Sequence, residues 1–387
     1  MVRLISFFLL FLTGPLFSTE SLQPFYSVRA PAGFTNGKEA FARVFATVKA
    51  EYYDGKGLSE DDLYYAAIQG ILRKISPPKT PTQSKIWSMA EKKKALGSLK
   101  TKQLALGIKY RYDRNDGSMK ILRVEENSSA MGKLLVNDRI MRINDKVLKN
   151  KTIAEISKLL SGKSGELLKF KVVRDIKVLE ITVVLKSFKR KYSRASEVNG
   201  VGYVRLLSFS DKISTELKEH VETFRQKKMG LLIIDLRHNT GGYFNEAIKS
   251  AELFLKKGSP IVSVVRSGSK RTDYTSLSSK HSDVKIAILI DEYSASSSEV
   301  LAAALRKNNR AVLIGKKSYG KAITEKTFDI KNKYYIKFTV GAMYDIEGGN
   351  WHETGLTPDL EVSGKILNDP ASDPVVLKAI EYLKKRK

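Results

Sequence analysis

The chain has 387 residues, enough for two or three domains with substantial cores. It is 42% hydrophobic and 28% charged, an ordinary folded composition, but 68 Lys and Arg against 41 Asp and Glu leave a formal charge of +27, which is compatible with nucleic acid, an anionic membrane surface or acidic partners; the spread of the lysines along the whole chain, with no long block, favours a very basic but otherwise normal surface. Cysteine is absent, which excludes disulfides, thiol catalysis and cysteine zinc sites, and the four histidines (His220, His238, His281 and His352) have no metal-binding spacing.

The first residues read as an export signal. Arg3 supplies the positive start, Leu4 to Leu12 an apolar run, Gly14 and Pro15 a break, and Ser18 to Ser21 small residues for cleavage. The run is short for a membrane span. Residues 1–19 are therefore expected to direct the chain across the inner membrane into the periplasm, with an uncleaved anchor as the alternative.

Residues 20–100 are expected to be helical. Phe41, Val44, Phe45, Val48 and Tyr52 lie on one face of a first helix. A second starts at Ser59, with Asp62 three residues on as a capping partner, and carries Leu63, Ala67, Ile71 and Ile75 on its apolar face. Pro77, Pro78 and Pro81 punctuate a linker, and a basic stretch with Lys92, Lys93 and Lys94 follows. From about Leu104 short strands dominate: Leu104 to Tyr110, Lys120 to Val124, a strand through Ile140, Leu168 to Val173 and Leu179 to Leu185, with a helix over Thr152 to Leu160. This predicts a small β-rich module at 101–188.

A different texture begins at Val201. Gly202 to Leu206, Leu231 to Asp235, Ile261 to Val265, Ile286 to Ile290 and Ala311 to Ile314 read as strands, several apolar throughout as in a sheet covered on both faces. Helices over Ser214 to Phe224, Phe244 to Leu255 and Ser297 to Lys307 alternate with them, which predicts an α/β domain over 189–365. A strand near Tyr334 to Val340 and a helix over Pro374 to Lys385 complete the chain.

Two turns carry the chemical signal. Ser294 to Ser298 separates a buried strand from an Ala-rich helix, where free N–H groups can stabilise an oxyanion. A serine nucleophile there needs a base, and a buried lysine amine can serve. Lys321 follows Tyr319 and Gly320, just after the strand Ala311 to Ile314. The strand Leu231 to Asp235 ends in polar residues and Gly241-Gly242, and paired glycines let backbone approach a ligand.

These segments resemble the carboxyl-terminal processing, or tail-specific, protease family, over almost the whole mature length. The matching segments are Ser294-Ala295-Ser296-Ser297-Ser298-Glu299, Gly320-Lys321-Ala322, Asp235-Leu236-Arg237-His238-Asn239-Thr240-Gly241-Gly242 and Gly355-Leu356-Thr357-Pro358-Asp359. The resemblance implies an α/β, multidomain α+β architecture: a crotonase-like peptidase core, an inserted PDZ domain, and helical ends including residues 366–387. It places the nucleophile on Ser296 and its general base on Lys321, the family's usual 25 residues later. Ser297 with Gly241 or Gly242 would form the oxyanion hole. Ala105, Leu106, Gly107 and Ile108 fall where a PDZ domain grips a C-terminal carboxylate, and Leu134 to Ile140 resembles the Pro-Gly-Asp turn of such domains.

The implied activity is a serine endopeptidase that cleaves proteins near exposed, apolar C-termini, with no metal or organic cofactor. Homo-oligomers are common in the family, and the charge suggests weak association with anionic membrane surfaces. Four departures stand out. Glu325 replaces the family's Gln and would favour a protonated lysine. Thr240 and Ala322 replace Pro and Gly at positions without a chemical role, and Lys307 stands where the family is often acidic. A catalytically weakened PDZ scaffold that binds polyanions in the cell envelope is the alternative reading. A Ser-His-Asp scheme through His238 is the competing catalytic arrangement.

Overall fold

The computed structural model describes residues 30–52, 59–76, 84–92, 102–104, 106–330 and 334–385. The expected export signal and proline linker, Lys93, Lys94 and Ala105 lie outside these residues. The chain divides into two compact units, one of residues 1–86 with 336–339 and one of the remainder.

In the first unit the helix Gly37–Glu51 is followed by Glu60–Lys74. The second starts as its sequence dictates: Ser59 Oγ accepts from Asp62 N at 3.1 Å, and Asp62 Oδ2 accepts from Ser59 N at 3.2 Å, a closed capping box. The apolar faces read from periodicity are not buried, however. Val44 and Ile71 are both 63% exposed, and Leu72 is the buried residue of the second helix. Periodicity locates an apolar stripe but does not say what covers it. The two helices meet instead through Phe45 stacked on Tyr64, with ring centroids 4.6 Å apart.

The second unit contains two cores. In the first, strands Ile108–Asp113, Ser118–Val124, Arg139–Ile143, Leu167–Arg174 and Lys177–Val184 form an antiparallel sheet in that spatial order, with the helix Ile153–Leu159 capped by Thr152 and Glu155. Met119, Ile121, Ile140, Phe170 and Val172 fill its interior. The expected Pro-Gly-Asp-like turn is present with Asn137 at φ 75°, the left-handed position that glycine commonly takes. Buried Asp138 receives Arg174 Nε at 2.8 Å and Nη2 at 2.9 Å, which locks the turn to the sheet.

The second core is a six-stranded sheet in the order Ser193–Val198, Val201–Leu206, Leu231–Asp235, Lys285–Ile290, Ala311–Gly315, Leu360–Glu361. The first pair is antiparallel and the rest are parallel. Alternate residues of these strands face opposite sides of the sheet. Val204, Ile234, Ile288 and Leu313 pack with residues of the helices Ile213–Gln226, Phe244–Glu252 and Ser297–Lys307. Tyr203, Ile233, Leu289 and Ile314 pack with the C-terminal helix Pro374–Lys385. Burial on both faces explains why these strands read as unbroken apolar runs. Arg237 bridges Asp235 (2.7 Å) and Asp373 (2.9 Å), all buried, and so ties the end of a central strand to the start of the last helix. Both unusual turns of the sequence lie at carboxyl ends of the parallel strands, where α/β sheets place their sites.

Candidate active site

The serine run separates by burial. From Ser294 to Leu305 every residue except Ser296 is buried. Ser294 Oγ donates to Leu236 O (2.9 Å), Ser297 Oγ to Gly242 O (3.2 Å) and Ser298 Oγ to Asn239 O (2.8 Å), so three hydroxyls are spent joining the turn to its neighbours. Ser296 is half-buried and, among the described residues, its hydroxyl donates no hydrogen bond. Its backbone sits at φ 57°, ψ −117°, a strained conformation for a residue with a Cβ. That strain sets its side chain at the mouth of the helix Ser297–Lys307, beside the Ser297 N–H.

Glu299 joins this turn to the lysine turn. Fully buried on the first turn of the helix, it accepts four hydrogen bonds. Ser318 Oγ (2.6 Å) and Gly320 N (2.7 Å) donate to Oε1, and Ser296 N and Lys321 N, both at 2.8 Å, donate to Oε2. One oxygen therefore holds the backbone nitrogens of Ser296 and Lys321 within twice a hydrogen-bond length of each other. Burial raises the carboxyl above its ordinary value against the pull of the four donors. All four of its hydrogen-bond partners are donors.

The late Gly-Leu-Thr-Pro-Asp segment supports the lysine turn from behind. Leu356 N donates to Ser318 Oγ at 2.7 Å, and a Cβ on Gly320, at φ 91°, would fall 2.8 Å from Gly355 N. His352 Nδ1 lies 3.2 Å from Gly320 O and belongs to the same support.

The glycine turn closes the third side. Asn239 is fully buried; its Nδ2 donates to Leu206 O at 2.9 Å and its carbonyl accepts from Ala295 N at 3.0 Å. Its Oδ1 accepts from Gly241 N at 2.9 Å, so the Gly241 N–H is already engaged. The N–H groups of Gly242 and Ser297 donate to no group among the described residues. A Cβ on Gly241 would sit 2.9 Å from Ser296 Cβ and 3.0 Å from Ser297 N.

Lys321 Nζ donates to Glu325 Oε2 at 3.0 Å, with both side chains largely shielded, and makes no hydrogen bond to Ser296 Oγ. His238 does not complete a Ser-His-Asp array. Its Nδ1 lies 2.5 Å from Asp291 Oδ2 and its ring is tilted against Tyr293, without a bond to Ser296. Lys307, unexplained by sequence, pairs with Glu347 and, at 3.5 Å, with Asp345, acids 38 to 40 residues further on.

In the β-rich module Leu106 and Gly107 lead into the strand Ile108–Asp113, which lies at an edge of its sheet. Their carbonyls accept from Ala130 N (3.1 Å) and Glu125 N (2.8 Å). Gly107 has φ 78°, and a Cβ there would lie 2.1 Å from Ser128 Cβ, so only glycine fits this turn. Sequence alone gave no role to Glu299, Asn239 or Ser318. The first two lie inside the quoted motifs, but their contacts join segments far apart in the chain.

Comparison with known proteins supports the two cores separately. Residues 200–362 match the model of peptidase family S41, and residues 105–185 match that of the PDZ domain. A CtpA-like serine protease of Staphylococcus haemolyticus (strain JCSC1435) is 26% identical over 322 residues, covering 82% of this chain and 63% of the relative. One from Staphylococcus epidermidis (strain ATCC 12228 / FDA PCI 1200) is 26% identical over 327 residues, covering 83% and 64%. The chain thus spans less than two thirds of the length of these relatives. The crystal structure of an S41 protease from Bacteroides fragilis NCTC 9343 superimposes with a TM-score of 0.58 at 18% identity, covering 93% of this chain and 100% of that one, a likeness of fold. The chain thus resembles peptidase family S41 over residues 200–362 and the PDZ domain over residues 105–185, in that order along the sequence.

Proposed function

We propose that the chain is a serine endopeptidase that cleaves proteins near their C-termini with Ser296 as nucleophile and Lys321 as general base. The observation that carries this reading is the single Glu299 oxygen shared by the backbone nitrogens of those two residues, beside the one accessible serine of its run. The neutral Lys321 amine removes the Ser296 proton as Oγ bonds to the peptide carbonyl carbon. The proton passes to the departing amine as the C–N bond breaks, and water then hydrolyses the acyl-enzyme. The Gly242 and Ser297 N–H groups hold the oxyanion; Gly241 is set aside as a donor because Asn239 already takes its proton. A tail captured by the PDZ domain lies along the open edge of Ile108–Asp113, with its carboxylate at Leu106 to Ile108. Export to the periplasm is part of the same proposal, and the weak association with anionic membrane surfaces is kept as an added property.

Glu325 holds the amine that this machinery needs. Its Oε2 accepts from Lys321 Nζ at 3.0 Å, a bond that competes with the contact the amine must make to Ser296 Oγ. Glu325→Gln is expected to weaken that competing bond and to raise the rate of cleavage. An unchanged rate would show that Glu325 does not restrain the amine. The same ion pair favours the weakened-scaffold reading, and a wild-type chain that leaves an unfolded, apolar-tailed substrate intact at every pH would establish it.

Glu299 acts through the backbone. Glu299→Gln keeps the size but places an amide NH2 against two donors. Turnover is expected to fall about a hundredfold, the cost of a small misplacement of reacting groups. Binding of tail peptides to the PDZ domain should not change. An equal loss of tail binding, or unaltered turnover, would show that Glu299 does not position the dyad.

A further inference from the structure

Cations face one another across the strands beside the open edge of the PDZ sheet. The strand Ile108–Asp113 turns Ile108, Tyr110 and Tyr112 against the domain core, and Lys109 and Arg111 to the opposite, solvent-exposed face. In the register with its neighbour, Lys109 lies opposite Arg123 and Arg111 opposite Lys120, and Lys120 in turn lies opposite Arg139 on the third strand. Residues directly opposite share a face, and like charges there destabilise a sheet. Arg123 and Arg139 have acidic partners in Glu125 and Asp116. Among the described residues no carboxylate pairs with Lys109, Arg111 or Lys120. The outer face of the hairpin therefore carries uncompensated positive charge up to the edge where another strand can join.

We propose that this edge selects protein tails that alternate apolar and acidic residues, with the acids second and fourth from the C-terminus. The inference rests on the PDZ domain capturing substrate tails. A carboxylate held at Leu106 to Ile108 puts the last residue of the tail alongside Ile108, and an added strand alternates its side chains from there. The last and third-last residues then face inward, toward the wall formed by Ile108, Tyr110 and Tyr112. The second-last and fourth-last face outward, beside Lys109 and Arg111. Acidic side chains at those two positions supply the counter-charges that the hairpin lacks.

The test is binding of fluorescent tail peptides to the full chain carrying Ser296→Ala, so that affinity is read without cleavage. A peptide ending in Glu-Val-Glu-Leu is compared with one in which both Glu are Gln, and with its C-terminal amide. The Gln peptide is expected to bind about three- to tenfold more weakly, as two exposed ion pairs allow, with the difference shrinking at high salt. The double variant K109E/R111E should reverse the order in favour of a tail with Lys at those positions. Equal affinity of the Glu and Gln peptides, or a preference that survives K109E/R111E, would overturn the proposed selectivity while leaving tail capture intact. Failure of every free-carboxylate peptide to bind would overturn tail capture itself, and the selectivity with it. Neither result depends on whether the chain cleaves peptides.

Discussion

Replacing Ser296 with alanine is expected to lower the rate of peptide cleavage by about 10⁴- to 10⁶-fold, the range seen when a nucleophile acting as part of a unit is removed. Lys321→Ala should cost nearly as much, and the double variant little more than either alone, because a base without its nucleophile has nothing to activate. Neither change should unfold the chain. Ser296 is half-exposed on a strained turn, and alanine keeps its Cβ; Lys321 as alanine keeps the backbone N–H bond to Glu299 and loses the Nζ bond to Glu325, a pair that still has some access to solvent. Purified variants assayed on an unfolded protein with an apolar tail, beside their thermal unfolding, check this. Additive losses would mean that the two residues act independently and that the dyad is wrongly assigned.

Gly241→Ala is expected to reduce kcat about 10²- to 10³-fold, the usual cost of losing one oxyanion donor. Gly241 has φ 98°, where a Cβ is strained, and that Cβ would lie 2.8 Å from Ala295 O, 2.9 Å from Ser296 Cβ and 3.0 Å from Ser297 N. Relieving the clash must part the glycine turn from the serine turn, and so separates the Gly242 and Ser297 N–H groups that share the oxyanion. KM for a tailed substrate should change little, since the tail is held elsewhere. Steady-state kinetics that lost affinity but kept turnover would place the glycine turn in substrate binding instead.

The parts of the fold that were legible from sequence are those whose signal is local. The strands Leu231–Asp235 and Lys285–Ile290 are buried on both faces and read as apolar runs, and the helix Ser297–Lys307 starts and stops where its small residues and Asn308 require. The strand Ser193–Val198 left no trace because its four central residues are exposed; it exists through antiparallel pairing with Val201–Leu206. The hairpin strand Lys270–Thr275 is polar for the same reason, and Leu360–Glu361 is too short to show a period. In the site, the motifs located Ser296 and Lys321 but not what joins them. Glu299 reaches residues 19 to 22 positions ahead in the chain, and Lys307 finds its acids 38 to 40 positions ahead. No spacing rule carries such contacts, because the sheet sets them. The choice between the glycines depended on a single side-chain bond, from Gly241 N to Asn239.

A serine made nucleophilic by a neighbouring lysine should react with a fluorophosphonate, so the reagent distinguishes Ser296 from the other serines. Intact chain, Ser296→Ala and Lys321→Ala are exposed to the reagent at mildly alkaline pH, and the modified residue is located by peptide mass spectrometry. One adduct, on Ser296, is expected in the wild-type chain and almost none in either variant. An adduct on another serine, or labelling of Ser296 at an undiminished rate in Lys321→Ala, would contradict it.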